Sequence, residues 1–348
     1  MSSSPNRPWL TRAAVVFAAT AMALTACSSG SDSTESPASG GLTVYSGRSE
    51  ALVGPLLSRF TEETGIALNI RYGDTAELAS QIIEEGDRTP AAVFFAQDAG
   101  ALGAVSAAGL FAKLPAKSVK IVPPTYRSTD GTWTGVTGRA RVIAYDPRQV
   151  PKAQVPQSVF DLTDAKWKGQ VAVAPNNGSF QAFVTAMRVT VGDARTEAWL
   201  SGLVSNDVQK YENNVLILNA VDTGQVKLGL INHYYWYEKA AEIGADAINV
   251  KLAFTAPKDP GSLVNVAGVG ILKSAGDNPD AQRLVEWMLS APTQEWFVEN
   301  THEYPLLPKV AADEGLPPLT SLRGPNVPLA ELTDLPGTLA MLERTGLL

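Results

Sequence analysis

Cysteine is almost absent from these 348 residues: Cys27 stands alone, so no intramolecular disulfide can form and no cysteine-based metal site exists. Histidine is scarce too, with only His233 and His302, which leaves little imidazole for acid–base chemistry. No Gly-x-Ser-x-Gly elbow, Walker loop, His-Glu-x-x-His or Cys–His pairing occurs, so an enzyme is not expected. Positive charge is not in excess: 28 Lys and Arg face 35 Asp and Glu, for a net charge of -7. Without a basic patch to neutralise phosphates, a nucleic-acid partner is excluded. Charged residues are 18% of the chain and hydrophobic ones 45%, which is globular composition and not that of a disordered chain.

Long apolar runs are missing as well. The longest at the start, Ala13 to Ala26, follows Arg7 and Arg12 and is too short for a stable bilayer span but suits a signal-peptide core. It ends in Leu24-Thr25-Ala26-Cys27, which resembles a bacterial lipobox, so residues 1–26 are expected to be a lipoprotein signal peptide and Cys27 the lipidated residue. Several acyl chains would hold the protein to the outer face of the cell membrane, each buried methylene adding roughly 0.8 kcal/mol. Residues 27–41, rich in Ser, Gly and Pro, read as a flexible tether.

The length exceeds one core of ordinary size and predicts two domains. From Leu42 onward, strand and helix patterns alternate, which predicts an α/β fold with parallel strands and right-handed crossovers. Leu42 to Tyr45, Ala67 to Tyr72 and the continuous apolar run Ala91 to Ala96 read as strands. Val53, Leu56, Leu57 and Phe60 recur at helical spacing before Gly65, with Pro55 predicting a kink or a late start. Asp74-Thr75-Ala76-Glu77 resembles a capping box. Further strands are predicted at 141–145, 170–174, 226–231 and 266–272, and helices at 196–203, 234–243 and 281–289. In open α/β sheets, ligands bind outside the carboxyl ends of the strands. Here those ends carry Arg48, Tyr72, Gln97, Asn177 and Asn232.

The most informative cluster is Asn232-His233-Tyr234-Tyr235-Trp236-Tyr237. In a strand, neighbouring tyrosines point to opposite faces, whereas on the first turn of a helix they stand about 100° apart and can reach one point. A helix N-terminus favours anions, and two phenolates are anions. A free phenol titrates near 10, so forming two phenolates at neutral pH needs a highly charged cation. Taken alone, an aromatic pair is more often packing.

The surroundings tip that balance. The chain closely resembles the ferric-binding family of periplasmic and lipoprotein components of bacterial ABC importers, from about Leu42 to Pro308. The resemblance is carried by Val44-Tyr45-Ser46-Gly47, Glu85 to Pro90, Gly138 to Val142, Lys166-Trp167-Lys168, Ile231 to Trp236, Asp259-Pro260-Gly261 and Glu303 to Leu306. It implies a two-lobed periplasmic-binding-protein fold of type II, each lobe a mixed, mostly parallel sheet flanked by helices, with the ligand in the cleft between. Lobe 1 is expected over 42–140, completed by about 266–312, and lobe 2 over 141–265, completed by about 313–348.

By the same resemblance, the cargo is Fe(3+) and Tyr234 and Tyr235 are its paired ligands. Where some members place a histidine and a glutamate, this chain has Ser49 and Gln97, and the tyrosine that another branch supplies is absent from 177–180. Gln97 offers a neutral oxygen, and Tyr72, at the end of a strand, is a further candidate ligand; Glu50 and Asp98 are alternatives with plainer readings as helix start and cap. Asn177-Gly178-Ser179, Asn214 and Asn232 match the positions that hold a synergistic phosphate or carbonate, and Arg48, Arg139 and Arg141 are alternative partners for that anion. The implied partners are an ABC permease and its ATPase, with the binding protein acting as a monomer. The alternative cargo is another small solute on the same fold: thiamine, a polyamine or a phosphonate.

Overall fold

Leu42–Ser46 forms the first strand, β1, with Val44 and Tyr45 buried. The computed structural model describes residues 40–322, 324, 325 and 327–348. The expected signal peptide, the lipidation site Cys27 and the tether through residue 39 lie outside the described residues. Helix α1 (Glu50–Thr64) turns Val53, Leu56, Leu57 and Phe60 inward. It ends at Gly65, whose φ of 74° is the left-handed position that glycine fills without a steric penalty. Of the two outcomes expected of Pro55, the late start does not occur: α1 begins at Glu50 and carries Pro55 inside it. Pro55 and Ala51 are both exposed, so water can take the Ala51 carbonyl that has lost its helical donor.

Strand β2 (Leu68–Tyr72) leads into α2 (Thr75–Glu85), and β3 (Val93–Ala96) into α3 (Ala99–Ala107). β3 is buried along its whole length, as its apolar run predicts. The capping box expected at α2 is not formed: Asp74 stands at the N-cap position, but its side chain makes no capping bond. After α4 (Ala116–Lys120), β4 (Trp133–Tyr145) runs for 13 residues and begins well before the expected start at 141. The chain continues through β5 (Val171–Val173), α5 (Gly178–Val191), α6 (Asp193–Ser205), β6 (Gln209–Lys210), α7 (Asn214–Asp222) and β7 (Leu228–Asn232). Next come α8 (Tyr234–Ile243), β8 (Lys251–Ala253), β9 (Val264–Ile271), α9 (Pro279–Met288), α10 (Ala291–Thr301), β10 (Tyr304–Pro305) and α11 (Leu335–Thr345).

The strands order as β2-β1-β3-β9-β4-β7-β5-β6, with β8 and β10 also paired to β4. β1 runs parallel to β2 and β3, and β5 runs parallel to β6 and β7. Between these two parallel groups, β9 and β4 are antiparallel to their neighbours. β4 is the shared element. Its Trp133 and Val136 enter a core with Phe60, Phe94, Leu102 and Phe297, while its Ile143 enters another with Trp167, Phe183, Leu200 and Leu230. Each fully buried large apolar side chain stabilises its core by about 1.5–3 kcal/mol. Near the end of the chain, Val327, Leu329 and Leu332 join the first core, and Met341 and Leu342 of α11 join the second.

Candidate functional site

The turns after β1, β2 and β3 and the start of α8 border one cleft of about 880 Å³. Thr75, the first residue of α2, ties two of those turns together. Its hydroxyl donates to the Gly47 carbonyl at 3.1 Å and accepts from the Gln97 N–H at 3.1 Å. Gly47 has to be glycine here, because any Cβ would collide with the Thr75 side chain.

Opposite this wall, β7 is held in register by β4, with Asn232 facing Arg141, so that α8 starts at a fixed point. Tyr234 and Tyr235 form its first turn and both border the cleft. Their ring centres are 4.2 Å apart and the planes are tilted by 32°. His233, just before them, is fully buried: Nδ1 accepts from the Ala140 N–H at 3.1 Å, and Nε2 lies 3.0 Å from the His302 carbonyl. Burial pushes its pKa down to about 4, so the ring is neutral with Nε2 as the donor. Both nitrogens are occupied, and neither is free for a ligand.

Burial, and then the neighbouring Tyr235, raises the Tyr234 phenol well above its ordinary range. Burial raises Tyr235 as well, against an opposing hydrogen bond with Tyr234. Both phenols are therefore neutral at pH 7, and any cation they bound would have to displace their protons. Arg48 already pulls in that direction. Its guanidinium carbon lies 5.9 Å from the centre of the Tyr234 ring, and its charge favours both phenolates.

Arg48 is held by Glu303. Nη1 donates to Oε1 at 3.0 Å and Nη2 to Oε2 at 2.9 Å, with both side chains buried. Thr137 adds a hydroxyl to the same carboxylate at 3.1 Å, and Arg139 lies 3.6 Å from it. Arg141 is buried close by, its pKa lowered to about 9 by burial and then by Arg139. Three buried arginines, Arg48, Arg139 and Arg141, thus lie near two buried carboxyl groups, Glu303 and Asp98. Arg48 and Arg139 favour the phenolate forms of Tyr234 and Tyr235, and positive charge of this kind suits a small anion as well.

Of the residues expected to hold an anion, Asn177 borders the cleft, while Gly178, Ser179, Asn214 and Asn232 are buried and do not border it. Asn177 caps α5, accepting from the Ser179 N–H at 3.1 Å, and the Ser179 hydroxyl accepts from Arg141 at 3.1 Å and from the Asn232 amide at 3.2 Å. Gly178 opens α5 against α2: a Cβ would lie 2.8 Å from the Asp98 carboxylate and 3.3 Å from Thr75. Asn214 is not tied into these bonds. It is buried in the first turn of α7 without hydrogen-bond partners for its amide, and its neighbour Asn213 borders the cleft in its place.

Of the other candidates, Tyr72, Gln97 and Ser49 border the cleft, whereas Glu50 is exposed at the start of α1. Asp98 caps α3 through the Ala101 N–H at 2.9 Å, and burial raises its pKa to about 6. Among the described residues, no three His, Cys, Asp or Glu side chains gather as a metal site of those residues would need. The oxygen donors on the cleft walls include Tyr234, Tyr235, Tyr72, Gln97 and Glu238, a set that favours a hard cation over a soft one.

Residues 89–326 match the family described as bacterial extracellular solute-binding protein. The chain belongs to that family. The Fe(3+)-binding periplasmic protein of Serratia marcescens is 36% identical to this family member over 84% of the present chain and 86% of its own. The major ferric iron-binding protein of Neisseria meningitidis serogroup B is 32% identical over 97% and 99% of the two chains. The crystal structure of iron-bound HitA from Pseudomonas aeruginosa superposes with a TM-score of 0.83 at 36% identity, covering 88% of this chain and 99% of HitA. The fold is thus the two-lobed type II periplasmic-binding-protein fold, and the family is one of solute binding in transport, not of catalysis.

Sequence reading did not single out two carboxylates of this solute-binding protein, Glu238 and Glu303. Glu238 borders the cleft one helical turn beyond the tyrosines, and burial followed by Glu303 raises its pKa to about 8. Its spacing of four residues from Tyr234 was a legible signal. Glu303 carried no such signal, since its partner Arg48 is 255 residues away.

Proposed function

We propose that this protein captures ferric iron as cargo between its two lobes, with Tyr234 and Tyr235 as paired phenolate ligands. One observation carries the reading: adjacent phenols stack 4.2 Å apart at a helix start on the cleft wall, beside a fixed arginine. Two phenolates offset two of the three charges of Fe(3+), and Arg48 and Arg139 lower the cost of forming them. The relatives named for ferric iron support the same cargo. Gln97 and Tyr72 are assigned as further oxygen ligands from the facing wall, which closure would bring toward the ion.

A small anion, phosphate or carbonate, is assigned to the side built by Asn177, Gly178, Ser179 and Asn232, with Asn214 behind it. Arg141 supports that assignment, because its buried Nη1 has no hydrogen-bond partner. The loaded protein is proposed to act as a monomer, tethered to the outer face of the membrane through Cys27, and to deliver iron to an ABC permease driven by its ATPase. Lobe 1 is assigned to 42–140 with 266–312, and lobe 2 to 141–265 with the C-terminal segment. The packing of Val327, Leu329 and Leu332 argues that the chain returns to lobe 2 at α11 and not at 313.

Colour tests the reading directly. Phenolate-to-iron charge transfer should give the purified protein a visible band with Fe(III), and the double variant Tyr234→Phe/Tyr235→Phe should remove it while the fold is kept. A wild type that stays colourless in excess Fe(III), or a double variant with unchanged ferric affinity, would overturn the assignment.

A further inference from the structure

We propose that Glu238 is a direct ligand of the ion held by Tyr234 and Tyr235, supplying the third anionic oxygen. This inference rests on the tyrosine reading above. Along α8 each residue advances about 100°, so Tyr235 stands about 100° from Tyr234, and Glu238 about 40° from it, between the two phenols and one turn further along. Glu238 borders the same cleft as both tyrosines. A side chain that is long, flexible and on the same stripe of the helix can reach back to the point both phenols approach.

Its present surroundings leave the carboxyl group short of partners. The residue is half-buried, and its Oε1 is cut off from solvent and makes no hydrogen bond. Arg48, which borders the same cleft, spends both of its terminal nitrogens on Glu303. Buried carboxylates in folded proteins are paired or bound to a cation, because an isolated one is costly to keep away from water. A cation in the cleft supplies what Glu238 lacks.

Charge points the same way. Two phenolates leave a trivalent ion with one positive charge, and Gln97 and Ser49 on the facing wall contribute only neutral oxygens. A carboxylate offsets that charge together with the small anion assigned above, and it is a hard oxygen donor of the kind such an ion prefers. The alternative, with Glu238 as a bystander, places a half-buried carboxyl group within reach of the ion without using it.

The test uses the purified protein loaded with ferric nitrilotriacetate, comparing wild type, Glu238→Gln and Tyr234→Phe/Tyr235→Phe. Glu238→Gln keeps the shape and removes the charge. The expected result is a shifted phenolate-to-iron band and a ferric affinity lower by at least about tenfold in citrate competition, a loss of about 1.4 kcal/mol. In the wild type, iron loading should also perturb a carboxylate stretch in the infrared difference spectrum that the Glu238→Gln variant lacks. A Glu238→Gln variant with the wild-type band and affinity would overturn the proposal while leaving the tyrosine reading intact. If the Glu238→Gln substitution impairs folding, the absence of any perturbed carboxylate stretch in the wild type overturns it equally. A colourless wild type would instead defeat the underlying reading.

Discussion

Arg48 and Glu303 grip each other through two parallel hydrogen bonds of 3.0 and 2.9 Å, although 255 residues separate them in the chain. Both are cut off from solvent, and the pair sits beneath the tyrosines of α8. A paired fork of this kind fixes the direction of the arginine charge as well as its place. Replacing Glu303 with Gln leaves Arg48 and Arg139 buried with too little negative charge between them. Losing one partner of such a group costs about 3–5 kcal/mol. Glu303→Gln should therefore lower the denaturant midpoint markedly, and urea titration followed by circular dichroism checks it. A midpoint within error of the wild type would mean the pair does not anchor the cleft floor.

His233 adjoins the proposed ligands and acts in packing. His233→Leu orphans the Ala140 N–H and the His302 carbonyl, each costing about 1–3 kcal/mol. The variant should melt lower than the wild type and still develop the iron band once folded. Loss of the band from a folded variant would make His233 part of the site.

Iron binding should strengthen as pH rises. Both phenols titrate above their ordinary range in the empty cleft, so each binds its proton at every pH below that and gives it up on coordination. Releasing the two phenol protons alone steepens apparent affinity by up to about a hundredfold per pH unit. The pH dependence of nitrilotriacetate competition, corrected for the chelator's own protonation, measures it. A flat profile between pH 6 and 8 would argue against phenolate ligands.

The anion arm separates from the phenols. Ser179→Ala removes the hydroxyl that links Arg141, Asn232 and Asn177. Iron affinity in the presence of phosphate or carbonate should fall, by about 3- to 30-fold for one or two hydrogen bonds, and the visible band should persist. Equal enhancement by the anions in variant and wild type would place the anion elsewhere.

Much of this was legible along the chain. The apolar run of β3 and the helical stripe Val53, Leu56, Leu57 and Phe60 of α1 each declare their period, because one local face meets one core. α8 was legible too, and with it the placing of Tyr234 and Tyr235 on one helical turn. β4 was only partly so. Thr134, Thr137, Arg139 and Arg141 break its apolar pattern, yet all are buried, since partners from β9, Glu303 and Ser179 surround them. α3 was missed because it is buried on nearly every side and so shows no polar face.

The chain by itself determined the paired tyrosines, the alternation of strand and helix, and the shortage of histidine and cysteine that leaves oxygen to do any binding. Local spacing is enough for these, since neighbours in sequence are neighbours on an element. Only the tertiary structure decided that Arg48 meets Glu303, that Asn213 and not Asn214 borders the cleft, and that Oε1 of Glu238 is left without a hydrogen bond. Those depend on which ends of distant strands converge, and packing of the whole sheet, not any short stretch of residues, sets that convergence.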